Sequence, residues 1–358
     1  MSNKKILIIA GALVLLLGFV FYKVFYPKNY VSIMAVTGAT PLALAEDVPP
    51  GVRRTVDGLT KRTYEFSGDA LRALANSRLR TQEVSPEGKF QGTYIYAGIP
   101  VYNILEGVAP KKPETAAFDK PLDMIVTFTS SNGKQVHYSY GEILMVDDRT
   151  PLTLAYSRRQ LLPSNEKASK TYDKNVYREN LKGLRLICPA DRDDKRYLDD
   201  VVKITLRDPE VPHRDLPKTV KGKKCSSSGV MCLWKEQGRL LITAGVERCR
   251  PTRWIRVGHG MGYKGISTAE GYNLVSLLRK NFPGCGEDQY YLFVACDGYR
   301  VLFSGREIFN SDNGEKMMLA EKLDGKKLPN GMMLGPRGDY FVDRDVWGLT
   351  HIVVLDKI

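Results

Sequence analysis

A cysteine among arginines is the first feature of this 358-residue sequence that could do chemistry. Cys249 lies between Arg248 and Arg250, and Arg253 and His259 follow it. Neighbouring cations lower the pKa of a thiol, and cationic side chains also bind phosphate groups. From these residues alone, Cys249 is either a free reactive thiol or a structural cysteine that is buried or disulfide-bonded.

A run of aspartates near the C-terminus is a second candidate site. Asp339, Asp343 and Asp345 are spaced like oxygen ligands of a cation, but the glycine and terminal glutamate of an EF-hand loop are absent. Asp191, Asp193 and Asp194 stand at the corresponding point of the first half of the chain. A repeated structural turn held by aspartate and arginine is therefore predicted in place of a calcium site.

The other metal-binding patterns are absent from the sequence. The chain has 6 cysteines, which permit many disulfide pairings, and the sequence does not choose among them. There is no Cys-x-x-Cys and no Cys/His cluster at zinc spacing. With 4 histidines, a His-rich metal site is not expected either.

The elements that position these residues begin after an apolar N-terminal run. Residues 6–26 approach the ~20 apolar residues that span a bilayer. Two lysines precede the run, so residues 1–5 are predicted to form a cytoplasmic tip and the rest to be exported. A cleaved signal peptide is the alternative, but the small-x-small pattern at Ala43 and Ala45 lies too far downstream. The sequence therefore predicts a single-pass anchor in the cytoplasmic (inner) membrane, with the bulk of the chain on the periplasmic side.

The charge of the chain predicts an anionic partner. Lys and Arg number 53 and Asp and Glu 40, which gives a net charge of +13. Residues 203–264 hold 14 Lys or Arg and 5 Asp or Glu, so +9 of that charge lies there. An acidic protein or an anionic lipid or cofactor fits such a chain. Nucleic acid is not expected, because the chain is predicted to be exported and its aromatic residues follow strand patterns.

An internal repeat organises the exported part. Corresponding residues recur in the same order in both halves, which predicts two copies of one domain, at residues 31–207 and 208–358. The matched pairs are Gly92 and Gly265, Gly98 and Gly271, Glu142 and Glu307, Pro163 and Pro329, and Arg196 and Arg344.

Each copy has the sequence pattern of a mostly β domain. Apolar runs flank Asn132 and Gly133 in the first copy and Asp297 and Gly298 in the second, which predicts two β-hairpins. Short helices are predicted to begin at the second matched glycine of each copy. A β-rich run closes each copy, at residues 201–206 and 349–355. The predicted fold class is α+β, mostly β.

The order of these motifs resembles the sulfite-oxidase-like, molybdopterin-binding oxidoreductase domain. The resemblance rests on the glycine-led helix start, the glycine hairpin, the Glu-Ile turn and the final arginine followed by an aliphatic strand, each seen twice. The stretch from Gly265 to Gly271 looks like the family segment that follows its metal-ligating cysteine. The family's usual tryptophan before the second glycine is missing, since the chain has Ala269 and Glu270 there.

The resemblance implies a molybdenum site in which a soft thiolate binds the metal and basic side chains hold the pterin phosphate. The first copy has no cysteine between residues 31 and 90, so the resemblance offers no such site there. In the second copy, Cys249 is the metal-ligand candidate. The candidates for binding the cofactor, if one is bound, are Arg250, Arg253, His259 and Lys264.

Three possible functions from different classes follow from the sequence. The leading hypothesis is a degenerate, non-redox pair of domains that acts as a binding or assembly subunit of an envelope complex with a protein partner. The alternative is a molybdopterin-dependent oxidoreductase with Cys249 as the molybdenum ligand. A purely structural spacer beside the membrane is the third possibility.

Overall fold

The structure is a computed structural model, and the part of the chain that it describes begins at the first strand. The predicted cytoplasmic tip and membrane anchor, residues 1–5 and 6–26, lie outside the described residues. Within the described ranges, no helix is long and apolar enough to cross a membrane. These ranges are 31–36, 61–66, 77–113, 116–146, 151–162, 178–212, 216–218, 229–234, 237–240, 245–258 and 262–356.

The described residues of the first part form two antiparallel-rich sheets and two short α-helices. One sheet has the strand order β2-β1-β9-β5-β6, and the other has the order β3-β4-β7-β8. These elements are β1 (Val31–Val36), β2 (Lys61–Phe66), β3 (Ser77–Val84), β4 (Phe90–Pro100), α1 (Val101–Val108), β5 (Ile125–Ser130), β6 (Gln135–Ser139), α2 (Tyr140–Leu144), β7 (Thr153–Gln160), β8 (Arg178–Ile187) and β9 (Val201–Arg207).

The second part repeats this arrangement. Its elements are β10 (Met231–Leu233), β11 (Gln237–Arg239), β12 (Arg248–Val257), β13 (Tyr263–Asn273), α3 (Leu274–Asn281), β14 (Tyr290–Ala295), β15 (Arg300–Ser304), α4 (Gly305–Phe309), β16 (Met317–Leu323), β17 (Lys326–Lys327), β18 (Met333–Pro336), β19 (Val346–Trp347) and β20 (Leu349–Leu355).

The sheets of the second part match those of the first strand by strand. The order β11-β10-β20-β14-β15 corresponds to β2-β1-β9-β5-β6, including the parallel pairs β10 with β20 and β1 with β9. The order β12-β13-β16-β18 corresponds to β3-β4-β7-β8, with β19 added at the end and β17 paired to β16. The protein is therefore an α+β, mostly β molecule whose two parts share one strand order. The domain boundary at residue 207 stays a prediction and falls between β9 and β10.

The two predicted hairpins are confirmed. Gly133 and Gly298 both have a φ of 85°, the left-handed conformation that favours glycine. The side chain that precedes each glycine accepts a hydrogen bond from the backbone N–H two residues on. Asn132 accepts it from Lys134 at 2.9 Å and Asp297 from Tyr299 at 3.0 Å.

The predicted helix starts are displaced by three residues. Gly98 and Gly271 lie within strands β4 and β13, two residues before each strand ends, and the helices begin at Val101 and Leu274. The reason is a close approach of backbones at the two glycines. A Cβ atom on Gly98 would lie 2.4 Å from the carbonyl oxygen of Leu154 in β7, and one on Gly271 would lie 2.1 Å from an oxygen in β16.

These contacts make a stability prediction. Gly271→Ala is expected to lower the free energy of unfolding by about 1–3 kcal/mol, because backbone atoms must move to admit the methyl group. Gly107→Ala, in open space within α1, is the matched control and should be neutral or slightly stabilising. Urea unfolding of the full chain in neutral detergent measures both. Equal effects of the two substitutions would contradict the close approach.

Each part has its own apolar core between its two sheets. In the first, Phe128 and Ile204 from one sheet pack in one cluster with Tyr96 and Leu154 from the other, and α1 adds Ile104. In the second part, the corresponding cluster takes residues from both sheets and from α3, and Phe118 and Leu122 of the first part join it. It includes Phe293, Phe303, Leu319, Leu334 and Leu277.

Candidate functional site

Cys249 lies on β12, where its side chain is half-buried against an apolar cluster that contains Trp254 and Ala269. It is a free thiol. Burial raises the pKa of Cys249, and although the cation of Arg337 opposes that shift, the net direction is upward. The expectation that neighbouring cations lower this pKa is therefore wrong, because desolvation outweighs them.

The cofactor-binding candidates that the structure describes do not gather around this thiol. Arg250, Arg253 and Lys264 are exposed. The side chain of Arg253 points away from the apolar cluster, because Arg253 alternates along β12 with Trp254, which packs beside Cys249.

Of the remaining cofactor candidates, only Lys264 lies within the described residues. His259 lies outside the described residues. Lys264 is close enough to Asp345 to lower the pKa of that buried carboxyl, which burial raises well above its ordinary value. A pterin phosphate needs several donors that converge beside the metal-binding thiolate. The described side chains therefore do not fit that group.

A cavity lies between the two parts, at a place that no sequence motif indicated. Its volume is about 200 Å³. Carboxylates of both parts line it, together with the buried thiol of Cys188. The charged lining residues are Glu142, Asp191 and Arg196 of the first part and Glu307 of the second, with Glu106 at the wall.

In the first part, one buried arginine holds two carboxylates beside this cavity. Arg196 donates to Asp191 from Nε at 2.7 Å and from Nη2 at 2.6 Å. Its Nη1 donates to both carboxylate oxygens of Glu142 at 3.1 Å. The guanidinium carbon lies 4.0 Å from the centre of the Tyr138 ring. These contacts confirm the predicted turn held by aspartate and arginine.

The second part repeats the same arrangement at the matched positions. Arg344, which is fully buried, donates to Asp339 from Nε and Nη2, both at 2.6 Å. Its Nη1 donates to Glu307 at 2.6 Å. Its guanidinium carbon lies 4.6 Å from the centre of the Phe303 ring. Asp339 therefore pairs with Arg344 as Asp191 pairs with Arg196, in a turn that both copies share. Its carboxylate is bonded to arginine and is not part of a cation-binding loop.

Two serines join these arrangements across the boundary between the parts. Ser139 and Ser304 cap helices α2 and α4, and each accepts a hydrogen bond from the backbone N–H of the glutamate three residues on. Ser304 also donates to Glu142 at 3.1 Å, and Ser139 donates to Glu307 at 3.4 Å. Each cap therefore contacts the glutamate of the other part, as in a pseudo-twofold interface.

Backbone contacts also cross the boundary between the two parts in a reciprocal way. The turn of each aspartate forms a β-bridge with the chain that follows the helix of the other part, Asp339 with Val146 and Asp191 with Ser311. The serines, glutamates, aspartates and arginines of the two parts together are called the interdomain network below. Its arginines are fully engaged by carboxylates, so its geometry suits fastening the two parts together rather than binding an anion.

Burial makes three carboxylates of the interdomain network, Glu142, Glu307 and Asp339, harder to ionise. It raises the pKa of Glu142 and Asp339 above their ordinary values. It raises the pKa of Glu307 to about 8, against the opposing effect of Arg344. Burial also raises the pKa of the Cys188 thiol, so that group is a poor nucleophile at neutral pH.

The sequence contained a signal for this network. Each copy has an aromatic residue, serine and glutamate in one fixed spacing and an aspartate five residues before an arginine in another. Glu142 and Glu307, and Arg196 and Arg344, were matched as repeats. Charged residues that recur at matched positions among apolar neighbours indicate buried pairs, but the spacing does not say which copy each residue contacts.

Comparisons with known proteins do not assign the chain to a family. No protein-family model matches the chain. No curated protein matches it either.

Proposed function

We propose that the protein is a membrane-anchored, periplasmic binding or assembly subunit of an envelope complex. In this proposal, residues 6–26 are the anchor and the two parts are tandem, divergent domains of the sulfite-oxidase-like type. Its domains do not carry out molybdenum chemistry. The protein partner of the complex binds to their surface.

The placement of Cys249 carries the proposal. A thiol acts as a metal ligand in its thiolate form, but burial against Trp254 and its neighbours raises the pKa of this thiol. The described cations that would hold a pterin phosphate, Arg250, Arg253 and Lys264, do not converge on it. The site is therefore better suited to packing than to redox catalysis.

Two further observations support the location and the binding role. Cys296 is disulfide-bonded, and disulfides persist in oxidising compartments such as the periplasm. The interdomain network fastens the two parts through buried contacts that include Glu142 and Glu307. Two domains fastened in this way present one fixed surface. Such a surface favours binding because little conformational entropy is lost when the partner binds.

The test is to purify the full chain from native membranes of a host that makes the molybdenum cofactor. We expect molybdenum far below one atom per chain and a partner protein retained in a fixed ratio after cross-linking in intact cells. About one molybdenum per chain, lost on Cys249→Ser, would establish the oxidoreductase alternative. Cys232→Ser is the control, because Cys232 is also a buried free thiol of the second part.

A further inference from the structure

On the outer face of the second sheet of the first part, Arg78, Arg80 and Arg159 have no acidic partner among the described residues. Arg78 and Arg80 are exposed on one face of β3. The alternating residues Leu79 and Thr81 are buried on the opposite face. In register, Arg80 stands opposite Ile95 of β4, which stands opposite Arg159 of β7. Three arginines of two strands therefore share one face of the sheet.

These side chains line a groove. Its volume is about 370 Å³, and its floor consists of small or apolar side chains. Among the residues that the structure describes, no carboxylate lies within ion-pair distance of Arg78, Arg80 or Arg159. The lining residues are Arg78, Arg80, Ile95, Ala97, Ser157, Arg158 and Arg159, and they are called the arginine groove below.

The fold itself does not require this charge. The second part has the same sheet, and Arg253 occupies the position of Arg80, opposite Thr268. There, however, Asp324 stands in place of Arg159, with its carboxylate bonded to the backbone N–H of Thr268 at 2.7 Å. An ion pair between Glu270 and Lys322, at 3.6 Å, further balances the charge. The acid-free set of arginines is therefore particular to the first part.

We propose that the arginine groove binds an extended acidic segment of a protein partner. This inference deepens the proposed binding role and rests on it. Alternate residues of a β-strand lie about 6.6–6.8 Å apart on one face. Arg78 and Arg80 therefore match the carboxylates of alternate residues in an extended chain. Guanidinium groups bind carboxylates through two parallel hydrogen bonds, which gives the pairing a defined geometry.

The spacing and the floor distinguish this ligand from other anions. Arg80 and Arg159 stand two strands apart, about 9–10 Å across the sheet, so their charges do not converge on one phosphate. Single-stranded nucleic acid binds through aromatic stacking platforms, but Ile95, Ala97 and Ser157 form this floor. A concave groove also suits a single chain better than the flat plane of lipid headgroups.

The test measures binding of labelled peptides to the full chain in neutral detergent by fluorescence anisotropy. The probe alternates threonine and glutamate, and a second peptide of the same composition has its glutamates in one block. We expect the alternating peptide to bind more tightly, and Arg78→Gln with Arg80→Gln to weaken it at least about tenfold. Lys326→Gln with Lys327→Gln removes the same charge from exposed residues of β17 and should change affinity less than about twofold.

Four outcomes would overturn the inference. Equal weakening by both double variants would show that only net charge matters. Equal binding of the two peptides would show that the spacing is not recognised. Capture of the wild type, but not of the Arg78 and Arg80 variant, by anionic phospholipid vesicles without peptide binding would assign the groove to a membrane. Retention of a partner in a fixed ratio by the arginine variant would overturn the groove while leaving the proposed function intact.

Discussion

Replacing Arg344 with methionine is expected to lower the free energy of unfolding by about 3–5 kcal/mol. The substitution removes a fully buried guanidinium and leaves the carboxyl groups of Asp339 and Glu307 without their partner. Since whole domains are stable by about 5–15 kcal/mol, this loss is a large share of the total. Urea unfolding followed by the fluorescence of the tryptophans in the second part measures it.

The matched control is Arg192→Met. Arg192 also pairs with two carboxylates, Asp312 and Glu315, but all three side chains are exposed. Exposed ion pairs contribute about 0–1 kcal/mol, because water screens them and ordering their side chains costs entropy. A loss below about 1 kcal/mol for Arg344→Met, equal to that of the control, would contradict the role of the interdomain network.

The pseudo-twofold arrangement extends this prediction to the first part. Arg196 occupies the position of Arg344, and Arg196→Met should cost a similar free energy. Because Ser304 contacts Glu142 and Ser139 contacts Glu307, loosening one arginine also disturbs the cap of the other part. We therefore expect the two parts to unfold in one transition in the wild type.

Local features of this fold could be predicted from the sequence. The hairpins at Gly133 and Gly298 could be predicted because the signal is local. Each glycine follows an Asn or Asp, and apolar runs flank the pair. The closing strands β9 and β20 were also predicted correctly. The helix starts were misplaced, because the backbone contact of Gly98 with β7 is set by a strand more than 50 residues away and not by local pattern.

The candidate sites depended more on such distant contacts. The sequence around Cys249 is cationic. In the structure, however, side chains alternate between the two faces of β12, so Arg253 lies on one face and the apolar cluster around Cys249 lies on the other. Glu142 and Ser304 are 162 positions apart, so their contact is decided by how the two copies pack. Matching the copies identified the residues of the interdomain network, whereas only the structure shows that each glutamate is bonded across the boundary.

The buried glutamate of the second part is expected to make stability depend on pH in an unusual direction. The pKa of Glu307 rises from an ordinary value of 4.5 to about 8 in the folded protein. Between these values, the folded state holds a proton that the unfolded state has released. The contribution of Glu307 to stability is therefore fully present below pH 4.5 and is lost as the pH rises through 8.

Glu307→Gln isolates this contribution. An amide oxygen can still accept the hydrogen bond from Arg344, but it cannot ionise. The unfolding free energy of the wild type should fall between pH 6 and 8 by up to about 1.4 kcal/mol per pH unit more steeply than that of the variant. Urea unfolding at several pH values gives both slopes. Parallel slopes would show that Glu307 is ionised throughout, and the interdomain network would then hold a fully charged glutamate against Arg344.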